Sequence, residues 1–192
     1  MHRERLTISQ RIRQEHGSYR EFAEAMFARF LLKVGRLRSL RRASLHGVER
    51  LVFVCTGNVC RSPYAEFKAR ELGFEAQSIG TRTSGGTPAN PDAVRVAERR
   101  GINLHDHRSI AYDRFLVRPG DLFVCMTPTH ARVVGRLFGS EHTALLGLIG
   151  SGESPLIADP YGRSDAFFEQ CFDQIDQALN EAKTSAEVPA HD

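Results

Sequence analysis

Residues 51–66 read LVFVCTGNVCRSPYAE. Leu51 to Val54 is an unbroken run of apolar strand formers, the pattern of a strand buried on both faces. Cys55 ends the run, Arg61 follows six residues later, and Gly57 and Asn58 stand between them. Ser62-Pro63 predicts a helix start, with serine at the cap, proline at the first helical position and Glu66 in the first turn. A strand, a short loop and a helix N-terminus make a nest of converging main-chain N–H groups, which suits a tetrahedral oxyanion. The sulfur of Cys55 is expected on the floor of that nest.

The chemistry of each residue fits this placement. Convergent N–H groups, a helix dipole and a nearby guanidinium favour a thiolate over a thiol, so Cys55 is expected to attack phosphorus. Arg61 offers a planar fork for two equatorial phosphate oxygens. The predicted phosphate cradle is the loop Thr56, Gly57, Asn58, Val59, Cys60, Arg61 and Ser62. Gly57 is expected to supply positive φ and close backbone approach, with Asn58 the next most tolerant residue. The Ser62 hydroxyl is placed to hydrogen-bond the departing sulfur. The bland reading is a strand-to-helix turn with a buried cysteine, since Cys-x5-Arg alone is a weak signal.

CTGNVCRSPYAE resembles the signature of the low-molecular-weight protein tyrosine phosphatase family, whose loop reads V-C-x-G-N-x-C-R-S-P. The family's second signature, an Asp-Pro dipeptide near the C-terminus, stands here as Asp159-Pro160-Tyr161-Gly162. Taken locally, Asp159-Pro160 is a turn stiffened by proline. The resemblance, which covers roughly residues 49–182, implies that Asp159 is the general acid and that Tyr161 flanks the pocket. It also implies that Val59 faces the cleft. Relatives with Thr at that position are associated with phosphoarginine, so apolar Val59 favours a phosphotyrosine ring. Ser78 and His107 match family positions that brace the Asn of the loop, although His107 in LHDHRS also reads as an exposed loop histidine. Relatives often have Met-Asp after the third strand, whereas this chain has Met126-Thr127-Pro128. No cofactor is implied.

Cys60 lies five residues from Cys55 and is a candidate redox partner, able to trap an oxidised Cys55 as a disulfide if their Cα atoms approach within about 7 Å. Otherwise it is a packed spectator thiol. Cys125 and Cys171 read as core. His105 and His107 make no zinc pattern with the cysteines, so no metal is expected.

The chain has 192 residues, enough for one full domain with an appendage. No apolar run approaches ~18 residues, and Met1–Gly17 lacks a signal-peptide core. Four cysteines in this pattern point to a reducing cytoplasm rather than a disulfide framework. Residues 1–50 carry twelve Lys/Arg against five Asp/Glu, which leaves the rest net acidic in a chain of +3.

Three segments are expected: residues 1–47, a basic and largely helical extension; 48–184, the phosphatase domain; and 185–192, a flexible tail. Tyr19, Phe22, Met26, Phe30, Val34 and Leu37 share one helical face over residues 19–40. Arg29, Lys33, Arg36, Arg38, Arg41 and Arg42 crowd its second half. Such a helix packs on the domain or on a second copy in a homodimer, or it meets an anionic membrane or an acidic protein through residues 19–42. Nucleic acid is not expected, for want of a reading motif. The extension departs from the family, so it is expected to be dispensable toward small substrates.

Beyond the loop, strands and helices alternate. Helices are expected at 63–72, after Asn90 or Asp92, at 129–138 and at 165–182. Strands are expected at 74–80, 121–126 and 144–149. The fold class is therefore α/β: three layers, a central four-stranded parallel sheet, and an N-terminal helical extension. Ligands bind such sheets beyond the carboxyl ends of strands, where Cys55 lies. Three functions compete: a phosphatase acting on protein phosphotyrosine through phosphocysteine, an arsenate reductase of the same fold, and a phosphate-binding scaffold that works through its basic arm. The reductase needs a cysteine relay, and none lies between Cys60 and Cys125.

Overall fold

The apolar run forms strand β1 (Arg50–Cys55), buried along its whole length, in the computed structural model, which describes residues 19–42, 45–150 and 152–187. Both edges of β1 are taken by parallel partners. On one side β2 (Ala76–Gly80) pairs Leu51 with Ala76 through Cys55 with Gly80. On the other, β3 (Asp121–Cys125) pairs Arg50 with Asp121 through Val54 with Cys125. The short strand β4 (Thr143–Leu145) adds to β3, giving the order β2-β1-β3-β4. A central strand covered on both faces favours apolar residues on both, which explains the absence of alternation from Leu51 to Cys55, while buried Arg50 at its start is paired with Asp121.

Successive β1 side chains point to opposite layers. Leu51, Phe53 and Cys55 join a core with α2 (Arg61–Glu71), α3 (Pro91–Arg99) and α5 (Asp165–Glu187). Val52 and Val54 join a second core with α4 (Pro128–Phe138) and the N-terminal segment. Helix α3 is capped by Asn90, whose side chain accepts from the N–H groups of Asp92 and Ala93, with Pro91 in the first turn. From α5, Phe168, Phe172, Ile175 and Leu179 are buried, as their spacing predicts.

Three elements differ from expectation. The fourth strand stops at Leu145, and Leu146–Leu148 turn into a 3-10 helix. Main chain from Ser154 crosses directly over Gly147, where an added Cβ would run into the Ser154 carbonyl oxygen, so only glycine fits the turn. The last helix runs on to Glu187 rather than Ala182, so three residues of the expected tail are helical. Residues 188–192 lie outside the described residues, as do the first eighteen of the basic extension.

The extension itself departs most. Helix α1 (Tyr19–Lys33) ends before Gly35, at φ +77°, and the chain turns again at Arg38–Leu40. Of the predicted inward face only Leu37 is buried, while Tyr19, Met26, Phe30 and Val34 are exposed. Ala25 and Ala28 are buried instead, with Leu31 and Leu32 packed against the second core. Small side chains let the helix axis approach closely, so the alanine stripe at i and i+3 wins over the bulkier face. Leu37 and Leu45 belong to the two cores, so the packing argues against a dispensable arm.

Candidate active site

The loop that leaves β1 enters α2 two residues earlier than its sequence suggests. Cys60 occupies the cap position without a side-chain hydrogen bond, and Arg61 is the first helical residue. Ser62 and Pro63 therefore lie inside the first turn, and Ser62 is not the cap. A helix start left open in this way exposes the N–H groups of Arg61 and Ser62, which have no helical acceptor. The positive φ falls on Asn58, at 54°, not on Gly57. A Cβ at Gly57 would make only ordinary contact with Val59 at 3.5 Å.

Cys55 is 3% exposed, and its sulfur is held from two sides. The Asn58 N–H donates to Sγ at 3.2 Å, and the Ser62 Oγ lies 2.9 Å from it. Asn58 orders this arrangement. Its Nδ2 donates to Ser62 Oγ at 2.9 Å and to Ser78 Oγ at 2.7 Å, and its Oδ1 accepts from the Ile110 N–H at 2.7 Å. Since Ser62 accepts from Asn58, its own proton is free for the sulfur. Ser78 likewise accepts from Asn58 and donates to Glu66 Oε2 at 2.5 Å. His107 Nε2 lies 2.8 Å from the Asn58 carbonyl, which can only accept, so the proton is on Nε2. Both Ser78 and His107 thus brace Asn58, and His107 is buried rather than an exposed loop histidine.

Glu66 ends this chain of hydrogen bonds, and the sequence gives it a different part. It is buried rather than a first-turn acid, and Arg70 pairs with it at 2.5 Å, one helical turn on. Burial pushes its pKa up, against the hydrogen bond from Ser78 and the charge of Arg70. The Glu66/Arg70 spacing was the available signal, but it reads as a surface pair. Burial also keeps His107 below the usual histidine range, opposed by its bond to Asn58.

Arg61 is buried and reaches across to the loop before α5. Its Nη2 meets Asp159 Oδ2 at 2.5 Å and its Nη1 donates to the Ile157 carbonyl at 2.9 Å. The buried Nε–H has no acceptor among the described residues. The Asp159 side chain is 39% exposed, and its Oδ1 accepts from the Tyr161 N–H at 3.3 Å. Cys55, Arg61 and Asp159 are therefore gathered at the carboxyl end of β1, with Asp159 brought from about 100 residues away. Cys60 is a buried free thiol, kept protonated first by desolvation and next by the neighbouring Cys55.

A cavity of about 860 Å³ opens beside this cluster, with Thr56, Arg61 and Asp159 in its lining. Val59 and Tyr161, the expected walls, do not line it: Val59 packs half-buried against the core and Tyr161 is 65% exposed. His130 does line it, a residue the sequence did not single out. Thr127 caps α4 by accepting from the His130 N–H at 3.3 Å, so the Thr-Pro departure has a local reason. The His130 ring then bridges Thr127 Oγ1, 3.1 Å from Nδ1, and Thr56 Oγ1, 3.0 Å from Nε2.

Desolvation first, and the charge of Arg61 second, push the pKa of His130 down to about 3. The folded ring is neutral, whereas an unfolded histidine takes a proton near ~6.5, so stability is full above that pH and falls below it. Lowering the pH from 7 to 5.5 is expected to cost about 1 kcal/mol through this one group. His107, depressed in the same direction, adds to the loss. Urea unfolding at the two pH values should show a smaller drop for His130→Gln than for wild type. Equal drops would contradict a neutral buried ring.

Residues 50–188 match the family model described as low molecular weight phosphotyrosine protein phosphatase. A probable low molecular weight protein-tyrosine-phosphatase, EpsP, of Ralstonia nicotianae is 31% identical over 138 residues, covering 69% of this chain and 92% of its own. The protein-arginine-phosphatase of Bacillus subtilis is 32% identical over 139 residues, covering 68% and 92%. Among solved structures, the tyrosine phosphatase Wzb from Escherichia coli K30 in complex with sulphate is similar, with a TM-score of 0.66 and 30% identity, over 71% of this chain and 97% of its own.

Proposed function

The chain belongs to the low molecular weight phosphotyrosine protein phosphatase family, a family of phosphomonoester hydrolases, and we propose from that membership that its substrate is phosphotyrosine in proteins. One observation carries the reading: a Cys55 sulfur that receives the Asn58 N–H and the Ser62 hydroxyl, next to a buried Arg61 with a donor unmatched. In this reading the Cys55 thiolate attacks phosphorus, the bond from phosphorus to the phenolic oxygen breaks, and Asp159 gives that oxygen a proton. Water then attacks the phosphocysteine, Asp159 takes up a proton, the S–P bond breaks and inorganic phosphate leaves. The main-chain N–H groups from Thr56 to Ser62 and the Arg61 fork hold the equatorial oxygens through both steps. Ser62 eases departure of the sulfur as thiolate.

The Arg61–Asp159 bridge has a part in this sequence. An arriving phosphate dianion competes for the guanidinium and so releases the Asp159 carboxyl for its part at the leaving oxygen. Cys60 remains the candidate partner for trapping an oxidised Cys55. The domain is taken as residues 48–184, supported by the extent of the family match. We place the protein in the cytoplasm, on its four unpaired cysteines. No helix among the described residues is long and apolar enough to cross a membrane. Exposed Met26, Phe30 and Val34 beside Arg29, Lys33 and Arg36 support an outward contact for the arm, with an anionic membrane, an acidic protein or a second copy.

Because one relative is named for arginine phosphatase activity, the substrate test uses two peptides of the same sequence, one carrying phosphotyrosine and one phosphoarginine. On the family match and the relative named as a protein-tyrosine-phosphatase, kcat/KM is expected to favour phosphotyrosine at least tenfold. A preference for phosphoarginine would transfer the site to that chemistry.

A further inference from the structure

The family match begins at Arg50, so α1 lies outside it, yet α1 is built into the wall of the cavity beside Arg61 and Asp159. Glu24, Phe27, Ala28 and Leu31 line the same cavity as Thr56, Arg61 and Asp159. The helix is seated there by buried Ala25 and Ala28, and the Thr129 hydroxyl at the start of α4 donates to Glu24 Oε1 at 3.4 Å. The cavity offers more room than one phosphotyrosine side chain fills, which leaves space for residues beside the phosphotyrosine.

The charges that line this extra space are uneven. Arg82, from the loop after β2, and Arg132, on α4, both line the cavity, are exposed, and make no ion pair among the described residues. Arg61 is already engaged with Asp159, which leaves Glu24 as the opposing charge, and it bonds Thr129 rather than either arginine. Two unmatched cations beside an apolar wall suit an acidic peptide segment, since each carboxylate gains an arginine fork without breaking an existing pair.

We propose that α1, with Arg82 and Arg132, forms a docking subsite for acidic residues adjacent to phosphotyrosine. Phe27 and Leu31 supply the apolar wall against which that segment lies, and the arginines read its charge. This rests on the phosphatase reading above and adds the substrate class to it.

The test uses the full chain and three substrates: phenyl phosphate, a phosphotyrosine peptide with Asp and Glu around the tyrosine, and the same peptide with Asn and Gln instead. Wild type is expected to prefer the acidic peptide about tenfold in kcat/KM, the scale of two exposed ion pairs acting together. In Arg82→Gln/Arg132→Gln that preference should fall to within about twofold. Phe27→Ala should lower kcat/KM for both peptides severalfold more than for phenyl phosphate. All three side chains are exposed, so the variants should fold, and circular dichroism checks this. Equal rates of wild type on the two peptides would overturn the subsite, as would a preference unchanged in the double variant. Hydrolysis of phenyl phosphate in that case leaves the phosphatase reading standing, whereas failure on every substrate sinks both.

Discussion

Cys55→Ser is expected to lower kcat toward aryl phosphates by about 10⁴-fold or more, to the background of a site without its nucleophile. Serine is nearly isosteric, so it can keep the hydrogen bonds from the Asn58 N–H and with Ser62 that hold the sulfur in place. What it loses is the sulfur nucleophile, because a serine hydroxyl attacks phosphorus far more weakly than a cysteine sulfur does. The anion cradle, made of main-chain donors and Arg61, is untouched. Inorganic phosphate should therefore still bind, and it is expected to raise the melting temperature of the variant and of wild type alike. Activity above about one hundredth of wild type would show that another group attacks phosphorus.

Asp159→Asn should have the second largest effect, and its size should depend on the leaving group. The amide keeps an acceptor oxygen for Arg61 Nη2, so the loop before α5 should stay in place. It has no proton to give. For phenyl phosphate, whose leaving phenolate is basic, kcat/KM is expected to fall about 10²–10³-fold. For an aryl phosphate with a strongly acidic phenol, protonation matters little, and the fall should be under about tenfold. Equal slowing of the two substrates would contradict the role of Asp159 as acid.

The parts of the site that could be read from the chain are those fixed by neighbours in sequence. The strand, loop and helix start at 51–66 is one continuous piece, and its residue types constrain one another within a few positions. Asp159 was legible only through the family resemblance, because Asp-Pro-Tyr-Gly by itself is a turn. Its position opposite Arg61 depends on the path of the chain between them. Glu66 and His130 were not legible, for the same reason. Each is defined by a partner far along the chain, Ser78 and Thr56 respectively, and no periodicity records such a pair.

Helix α1 shows a different kind of failure. Hydrophobic periodicity weights large residues, so Tyr19, Met26, Phe30 and Val34 outvoted Ala25 and Ala28. Packing against the domain chose the alanines because they let the backbone come close. The larger residues were left outside, and Phe27 was left in the cleft. The positive φ at Asn58 rather than Gly57 is a smaller case of the same kind. Glycine tolerates that conformation most readily, but Asn58 adopts it with three side-chain partners, Ile110, Ser62 and Ser78, and His107 on its main-chain carbonyl.

The most direct test of the central claim is to locate the phosphoryl group during turnover. Asp159→Asn, which should slow breakdown of the intermediate as well as its formation, is mixed with an aryl phosphate bearing an acidic phenol, quenched, digested and mapped by tandem mass spectrometry. The phosphoryl group is expected on Cys55 within the peptide that spans the loop, and on neither Cys60 nor Ser62. Turnover with the phosphoryl group on another residue, or with release of phenol and phosphate in step and no labelled peptide, would contradict the account.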